Sequence, residues 1–535
     1  KRVTSLATHL WEFHGGLHLE GHKDLSNDSP IRQAPLPDQL VIPVRQHIGE
    51  PARPVVQVGD HVLKGQVIAR PEGYVSAPVH ASSSGRVIAI EDRPVPHPSG
   101  LSDLCVIIEL DGKDQAVETT RSDLDALSPS DIRNRLREAG LVGLGGAAFP
   151  SAVKLNAGPA NPIDLLVLNG AECEPYITCD DRLMRERPEE IVRGARIMMA
   201  ASQAGKCAIA VEDNKPEAAE ALKAAIDEAG VDDIEVVVIP TIYPTGAEKQ
   251  LIFVLTGREV PSTGLPADIG VVCQNVGTAA AASRALEAGE PITSRVVTVT
   301  GSGVKAPGNW EVRIGTPIES LIRAAGGYAE NTSRLVMGGP MNGFTLHTDR
   351  APVVKASNCL LAMQEADVTK PVDPLPCIRC GACEEVCPAN LLPQQLYWHT
   401  QGREFEKVQD YKLFDCIECG CCDMVCPSHI PLVQYFRFAK SEIWSQEEER
   451  KKADIARARH EFRQERLERE KREREARLAK KRAAMKNKAS QPDDKKAAIQ
   501  AARERAKARK QAAQTNNEAE GGKPGSGQAP ASDDS

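Results

Sequence analysis

The alternation of apolar and polar positions predicts a β-rich module near the start of the chain. Between residues 36 and 93, apolar and polar side chains alternate with a period of two around turn residues, as expected for short half-buried strands. The pair Gly59-Asp60 interrupts one such run and predicts a two-residue hairpin turn. We therefore expect several short strands here rather than helices.

Residues 130–290 carry a different pattern, in which helical and strand periods alternate. Ile132, Leu136 and Ala139 lie at helical spacing, with Ser130 as the predicted N-cap and Gly140 as the predicted stop. Continuous apolar runs predict buried strands at residues 164–170, 206–212 and 234–240. This alternation is typical of an α/β layer.

The remaining patterns predict three further regions. Residues 294–350 combine a strand, glycine turns, a second strand and a capped helix, which favours a compact β-grasp module. Residues 373–440 hold the cysteine-rich segment with two helical stretches between its motifs. Residues 446–515 have helical propensity but no apolar seam, and the last twenty residues have a composition typical of disorder.

These regions predict a multidomain α+β chain. The first module is similar to barrel-sandwich domains of the biotinyl and lipoyl type, but its turn at residues 80–86 has no lysine for a covalent carrier role. The third is similar to SLBB-type β-grasp modules. The predicted division is 1–125 (unmodified barrel-sandwich domain), 126–292 (α/β cofactor-binding domain), 293–365 (β-grasp module), 366–445 (helix-rich dicluster domain) and 446–535 (charged tail).

The amino-acid composition limits the cellular locations to be expected for the chain. No window approaches the roughly 20 apolar residues of a membrane span, and the first residues lack the apolar core of a secretory signal. Nine of the 15 cysteines fall between residues 377 and 426, a distribution unlike that of a secreted disulfide scaffold. Reduced thiolates are needed to bind iron, so we expect a cytoplasmic location.

The charge distribution is uneven. Residues 451–510 hold 23 Lys and Arg against 10 Asp and Glu, whereas the whole chain has a net charge of −8. This tail has no interleaved aromatic residues and alternates acidic with basic side chains, so we do not expect nucleic-acid binding. Contact with anionic lipid or acidic partners is the preferred interpretation.

Two cysteine runs of the form CxxCxxCxxxCP predict two [4Fe–4S] clusters. In this pattern the first three cysteines ligate one cluster and the fourth ligates the other. One predicted ligand set is therefore Cys377, Cys380, Cys383 and Cys426, and the other is Cys416, Cys419, Cys422 and Cys387. Zinc is the main alternative, which the Cys-Pro closure of both runs disfavours. Cys421 is predicted to be a bystander.

Four segments of the α/β region resemble, in order, the NADH- and FMN-binding subunit of respiratory complex I. The first is the glycine loop at residues 143–150, followed by Lys154; the others are residues 169–175, 243–248 and 272–278. The resemblance implies cofactor-binding roles for Gly143, Gly145, Gly146, Phe149, Lys154, Asn169, Glu172, Glu174, Tyr243, Gly246, Glu248, Asn275 and Thr278. It also implies that Phe149, Lys154 and Glu174 face NADH. The chain departs from the family at Leu144, Ala171 and Ala247, where the family has an Arg, an Asp and one of two paired Glu residues.

The domain order over roughly residues 10–440 resembles that of the C subunit of the Rnf ion-translocating electron-transport complex. This resemblance implies an oxidoreductase component with FMN as flavin and NADH as electron donor. It further implies integral membrane and iron–sulfur partner subunits, ferredoxin as a distal partner, and a peripheral place on the cytoplasmic face of the bacterial inner membrane. Two alternatives stay open: a soluble reductase of the cobalamin-reductase type, and a ferredoxin-like adaptor without flavin.

Overall fold

The structure is a computed structural model that describes residues 9–156, 158, 161–368, 372–489 and 492–515. The predicted disorder of residues 516–535 lies outside these ranges. The chain forms two compact units, Lys1–Ile443 and Trp444–Ser535, each described by itself below.

The N-terminal module packs two small sheets around one apolar core, as a barrel sandwich does. The strands to this point are β1 (Arg32–Gln33), β2 (Gln39–Pro43), β3 (Arg53–Pro54), β4 (His61–Val62), β5 (Val67–Arg70), β6 (Val79–His80), β7 (Gly85–Pro94) and β8 (Ser102–Leu110). The four-stranded sheet has the order β2-β8-β7-β4 and the three-stranded sheet the order β3-β5-β6. The sequence prediction of this fold is confirmed.

The predicted hairpin at Gly59-Asp60 is wrong in one respect. Gly59 does occupy a turn, with a φ of 99° that favours glycine. However, the strands on either side do not pair, because β3 joins β5 in one sheet and β4 joins β7 in the other. The turn therefore passes the chain between two sheets, which a local pattern cannot distinguish from a hairpin.

The α/β domain contains a four-stranded parallel sheet of β9 (Leu165–Gly170), β10 (Lys206–Glu212), β11 (Ile234–Ile239) and β12 (Val271–Asn275). The strand order is β11-β10-β9-β12. Its helices are α1 (Pro129–Glu138), α2 (Ser151–Lys154), α3 (Cys179–Glu186), α4 (Pro188–Ser202), α5 (Pro216–Ala229), α6 (Glu248–Thr256) and α7 (Val276–Ser283). The three predicted strands are present, and β12 is a fourth that was not predicted.

Helix α1 begins two residues earlier than predicted. Ser128, not Ser130, is the N-cap: its hydroxyl accepts the main-chain N–H of Asp131 at 3.2 Å, and Pro129 occupies the first helical position. Proline is favoured there because its missing N–H needs no partner. Gly140 follows the C-terminal end with a φ of 71°, as predicted.

The β-grasp module consists of β13 (Ser294–Thr300), β14 (Gly308–Arg313), α8 (Ile318–Ala324), β15 (Thr332–Met337), β16 (Phe344–Thr345) and β17 (Cys359–Gln364). Its sheet has the order β1-β14-β13-β17-β15-β16, with β13 antiparallel to β14 and parallel to β17. Helix α8 buries Ile318, Leu321 and Ile322 against one apolar cluster of the module. This confirms the β-grasp prediction.

The cysteine-rich segment is helical between its motifs, as predicted. Its helices are α9 (Ala382–Glu385), α10 (Pro393–Gln401), α11 (Phe405–Asp410), α12 (Cys421–Met424) and the start of α13 (Leu432–Ala489). Leu396, Val408, Leu413 and Phe436 form its apolar core together with cysteine side chains.

The second unit contains the rest of α13 and helix α14 (Pro492–Thr515). All of its described side chains except the half-buried Glu447 are exposed, and ion pairs such as Lys452–Glu448 and Arg466–Glu470 join residues four apart. Within the described ranges, no helix is both long and apolar enough to cross a membrane.

Candidate functional site

A pocket of about 500 Å³ lies beyond the carboxyl ends of β9 and β12. Ligands of parallel α/β sheets bind at this edge. The β-grasp module supplies part of the wall, including Gly339 and Asn342, and the cysteine-rich segment supplies Ile417 and Cys419. The pocket has the size of a small-molecule or cofactor site.

Eight of the predicted cofactor-binding residues line this pocket: Gly145, Gly146, Asn169, Glu172, Glu174, Tyr243, Gly246 and Asn275. The other five, Gly143, Phe149, Lys154, Glu248 and Thr278, support its walls or lie beside it. Lys154 and Glu248 form an ion pair with one another.

The glycine loop presents main chain to the pocket. Gly146 has a φ of 106°, which favours glycine, and a Cβ at Gly145 would meet Asn275 at 3.3 Å. Leu144 anchors the loop from behind: its N–H donates to the Thr278 hydroxyl at 2.9 Å and its carbonyl accepts from Arg295 at 2.9 Å. The loop is thus a cradle without side chains, the form in which main-chain amides approach a phosphate or flavin.

A half-buried lysine holds the acidic side of the pocket. The Lys23 ammonium donates to the main-chain carbonyls of Glu172, Glu174 and Ile177 at 2.7, 2.8 and 2.6 Å. The Glu172 carboxylate accepts the N–H of Asp180 at 2.7 Å at the start of α3. Burial raises the pKa of Glu172 to about 8, while the nearby Lys23 charge opposes that rise.

The polar side chains of the pocket have protein partners that fix their orientation. Asn169 donates to the Gly246 carbonyl at 2.7 Å, and Asn275 donates to Asp180 at 2.6 Å. Glu174 accepts the main-chain N–H groups of Met341 and Asn342 at 2.7 and 2.9 Å. These bonds prepare the pocket before any ligand enters, and they fit a flavin held by glycine backbone and amide side chains.

The eight motif cysteines line two cavities, each of which takes three cysteines from one run and one from the other. The first, of about 230 Å³, is lined by Cys377, Cys380, Cys383 and Cys426. The second, of about 20 Å³, is lined by Cys387, Cys416, Cys419 and Cys422, and Cys421 also reaches it. Each cavity thus brings together four cysteines, which is the ligand set that a [4Fe–4S] cluster takes.

The pocket and the second cavity share a wall. Cys419 lines both, and the Tyr243 hydroxyl donates to the Cys419 main-chain carbonyl at 2.6 Å. The same hydroxyl accepts from Asn342 at 2.8 Å. Tyr243 was predicted as a cofactor-binding residue; it lines the pocket, and its hydroxyl in addition contacts the cysteine run.

Sequence reasoning missed the residues that support the site from other modules. Lys23, Arg295 and Asn342 lie far along the chain from the motifs that they hold. Lys23 and Arg295 bond backbone groups, and Asn342 bonds a side chain about a hundred residues away, so none of them leaves a spacing signal in the sequence.

Comparison with known protein families gives four consecutive matches. They are the RnfC barrel sandwich hybrid domain over residues 11–113, the Nuo51 FMN-binding domain over 136–284, the SLBB domain over 296–345 and the 4Fe-4S dicluster domain over 376–430. The chain thus contains an FMN-binding domain and a dicluster domain, which argues against an adaptor without flavin.

Curated relatives match over 461 residues, or 86% of this chain. The C subunit of the ion-translocating oxidoreductase complex of Pseudomonas aeruginosa is 50% identical, and the match covers 59% of its length. The protein of the same name from Haemophilus influenzae is 47% identical, with 69% covered. The chain therefore spans less than two thirds of the Pseudomonas relative.

The match to a solved structure of an NAD+-reducing [NiFe]-hydrogenase in the H2-reduced state covers 62% of this chain and 67% of the hydrogenase chain, at 18% identity and a TM-score of 0.42. This likeness is too weak to support a conclusion. The curated relatives, by contrast, are 47–50% identical over 86% of this chain, and the matched families include the RnfC barrel sandwich hybrid domain. On these grounds the chain belongs to the RnfC family, the C subunits of ion-translocating oxidoreductase (Rnf) complexes.

Proposed function

We propose that this chain is the peripheral electron-input component of a membrane-bound oxidoreductase, taking electrons from NADH and passing them to partner subunits. The observation that carries the proposal is the shared wall at Cys419, where the predicted flavin pocket meets the second cysteine cavity. A two-electron site and a one-electron site placed side by side are what such a component needs.

The protein's part is to bind and orient. A bound flavin accepts two electrons as a hydride and releases them singly, and each [4Fe–4S] cluster carries one electron. Gly145 and Gly146 would offer main chain to the flavin, and Asn169 and Asn275, whose amides are fixed by their protein partners, would help to hold it. Glu174, Lys154 and Phe149 are the residues we propose to contact the dinucleotide.

The two ligand sets differ in solvent exposure, and from this difference we propose a direction of electron transfer through the chain. The set around Cys416, Cys419 and Cys422 lies against the pocket, and we propose it as the entry cluster. In the other set Cys380 is exposed, beside the exposed apolar side chains of Leu375 and Ile378. We propose this end as the exit, because a partner can approach it without opening the fold.

The partners follow from the family. We propose integral membrane and iron–sulfur subunits of an Rnf-type complex as the acceptors, with ferredoxin as a distal partner. The proposed place is the cytoplasmic face of the inner membrane, where the basic tail would contact anionic lipid or acidic partners.

Stopped-flow mixing of the cofactor-loaded chain with NADH tests the proposal. Flavin absorbance should bleach first and cluster absorbance should follow. Dithionite provides the control, because it reduces both centres whether or not a nucleotide site exists. A chain loaded with FMN that dithionite bleaches and NADH does not would refute NADH as the donor.

A matched pair of variants separates nucleotide contact from flavin support. Glu174→Gln should slow the NADH-dependent bleaching while leaving FMN bound, since the amide keeps its size but loses the carboxylate. Glu259→Gln, outside the pocket, is the control and should leave the rate unchanged. Equal rates for all three proteins would remove Glu174 from the proposed dinucleotide site.

A further inference from the structure

Three side chains from outside the cysteine runs donate hydrogen bonds to the main chain of the second ligand set. The Tyr243 hydroxyl donates to the Cys419 carbonyl at 2.6 Å, and the Lys440 ammonium donates to the Cys416 carbonyl at 2.7 Å. His14 Nδ1 lies 3.0 Å from the Cys387 carbonyl and must be the donor, because a carbonyl only accepts.

These donors come from three separate elements. His14 belongs to the N-terminal segment, Tyr243 to the loop before α6, and Lys440 to the first turns of α13. Nothing in the spacing of the cysteines requires them. They converge on one ligand set only because the N-terminal segment and the α/β domain both pack against the cysteine-rich segment.

Two of the three donors are shielded from solvent. Tyr243 is 3% exposed and Lys440 is 7% exposed. Water therefore screens their charge and dipole weakly at the cavity. Glu418 offsets part of the Lys440 charge through a contact of 2.7 Å, but Arg437 also pairs with Glu418 at 2.8 Å, so the group keeps a net positive charge.

We propose that Tyr243 and Lys440 are positioning residues that raise the reduction potential of the cluster held by Cys387, Cys416, Cys419 and Cys422, through hydrogen bonds to the carbonyls of its ligands. The inference rests on the proposed function only in requiring that this cavity hold a [4Fe–4S] cluster. Its consequence is that the docked α/β domain tunes the cluster that lies against its own pocket.

The physical reason is the charge added on reduction. One electron adds one negative charge to the cluster, and the positive ends of the O–H dipole and of the ammonium group stabilise that charge. His14 is exposed, so its dipole is better screened and it contributes less. Removing either buried donor should make reduction harder without removing a ligand.

The test is a mediated redox titration at fixed pH of the full chain with its clusters, followed by EPR, for wild type, Tyr243→Phe and Lys440→Gln. We expect the reduced-to-oxidised ratio of one cluster, at fixed solution potential, to fall at least threefold in each variant. For a one-electron couple this is a shift of about 28 mV to lower potential. The other cluster is the internal reference and should not move.

Two further variants separate tuning from structural damage. Tyr328→Phe removes a hydroxyl that bonds Asp349 in the β-grasp module, and it should shift neither cluster. Lys440→Arg keeps the positive charge and should retain at least half of the potential that Lys440→Gln loses. This rescue is not expected if Lys440 only fills space.

The outcomes are separable from those of the NADH test, because dithionite and mediators set the potential without nucleotide. Clusters that titrate as expected but are not reduced by NADH would refute the donor and leave this inference standing. Unchanged potentials in both variants, or equal shifts of both clusters, would overturn it. Loss of the cluster from both variants would also overturn it, because a contact that only tunes potential is not needed for assembly.

Discussion

Replacing Lys23 by methionine should weaken FMN binding although Lys23 does not line the pocket. Its side chain is half-buried, and its ammonium donates to the carbonyls of Glu172, Glu174 and Ile177 at 2.7, 2.8 and 2.6 Å. These three bonds define the course of the main chain on the acidic side of the pocket. Methionine has a similar length but offers no donor, so all three carbonyls would lose this hydrogen bond.

The size of the effect follows from opposing contributions. Hydrogen bonds from a charged donor contribute about 1.5–3 kcal/mol each, so three amount to roughly 5–9 kcal/mol. Burying the ammonium costs several kcal/mol, and the same burial lowers the pKa of Lys23. The difference is a net stabilisation of the ordered conformation of segment 172–177 by about 1–3 kcal/mol. If FMN binds only the ordered segment, losing this stabilisation weakens the FMN affinity roughly 5- to 150-fold.

Fluorescence titration of the flavin-free chain with FMN measures this affinity directly. Lys64→Met is the matched control, because Lys64 pairs with Asp114 in the barrel-sandwich domain and is remote from the pocket. The control should bind FMN as the wild type does. An unchanged FMN affinity in Lys23→Met, in a folded protein, would show that these bonds do not order the pocket.

Three other predictions concern the cluster cysteines, a glycine of the pocket loop and a buried lysine. Cys387→Ala should remove the cluster built mainly on the second run, whereas Cys383→Ala should remove the other one, and EPR on each variant identifies the surviving signal. Gly146→Ala should weaken FMN binding roughly 5-fold or more, because a residue with a side chain is strained by about 1 kcal/mol or more at a φ of 106°. Fluorescence titration with FMN measures this change, and Gly112→Ala is the control. Burial lowers the pKa of Lys355 in the folded chain to about 7. Between pH 7 and 10 the unfolded chain therefore binds more protons at this lysine than the folded chain does, and the free energy of unfolding should rise by up to about 1.4 kcal/mol per pH unit. Urea denaturation of wild type and Lys355→Met should show this contribution to the slope only in the wild type.

The parts of the fold that sequence predicted are those with a local cause. The strands β9, β10 and β11 are continuous apolar runs because both faces of a parallel sheet are buried. The short strand β12 was missed because its five residues end in the polar pair Gln274-Asn275. The start of α1 was misplaced because Ser128 and Ser130 both satisfy a capping rule, and only Pro129 between them decides it.

The cysteine sets were predictable because the ligand spacing follows from the geometry of the cluster itself. The shared wall at Cys419 was not, because it depends on how three modules pack. Tyr243 illustrates the difference. A motif correctly drew attention to it, but its hydroxyl bonds a carbonyl 176 residues later in the chain, which no local pattern encodes.

The three departures from the flavoprotein motif pose the sharper question of whether the flavin pocket survives them. Leu144 is 7% exposed and turns into the apolar core, while its N–H and carbonyl hold the loop through Thr278 and Arg295. Ala171 is buried, and its carbonyl accepts from Lys215 at 2.8 Å.

Ala247 precedes α6, and its carbonyl accepts the N–H of Leu251 at 2.9 Å. At all three positions main-chain groups make the hydrogen bonds that shape the pocket. The polar side chain that the family has there is therefore not required for this. The substitutions therefore remove side-chain contacts to a ligand without removing the pocket. We expect them to alter the affinity for the dinucleotide more than the affinity for FMN.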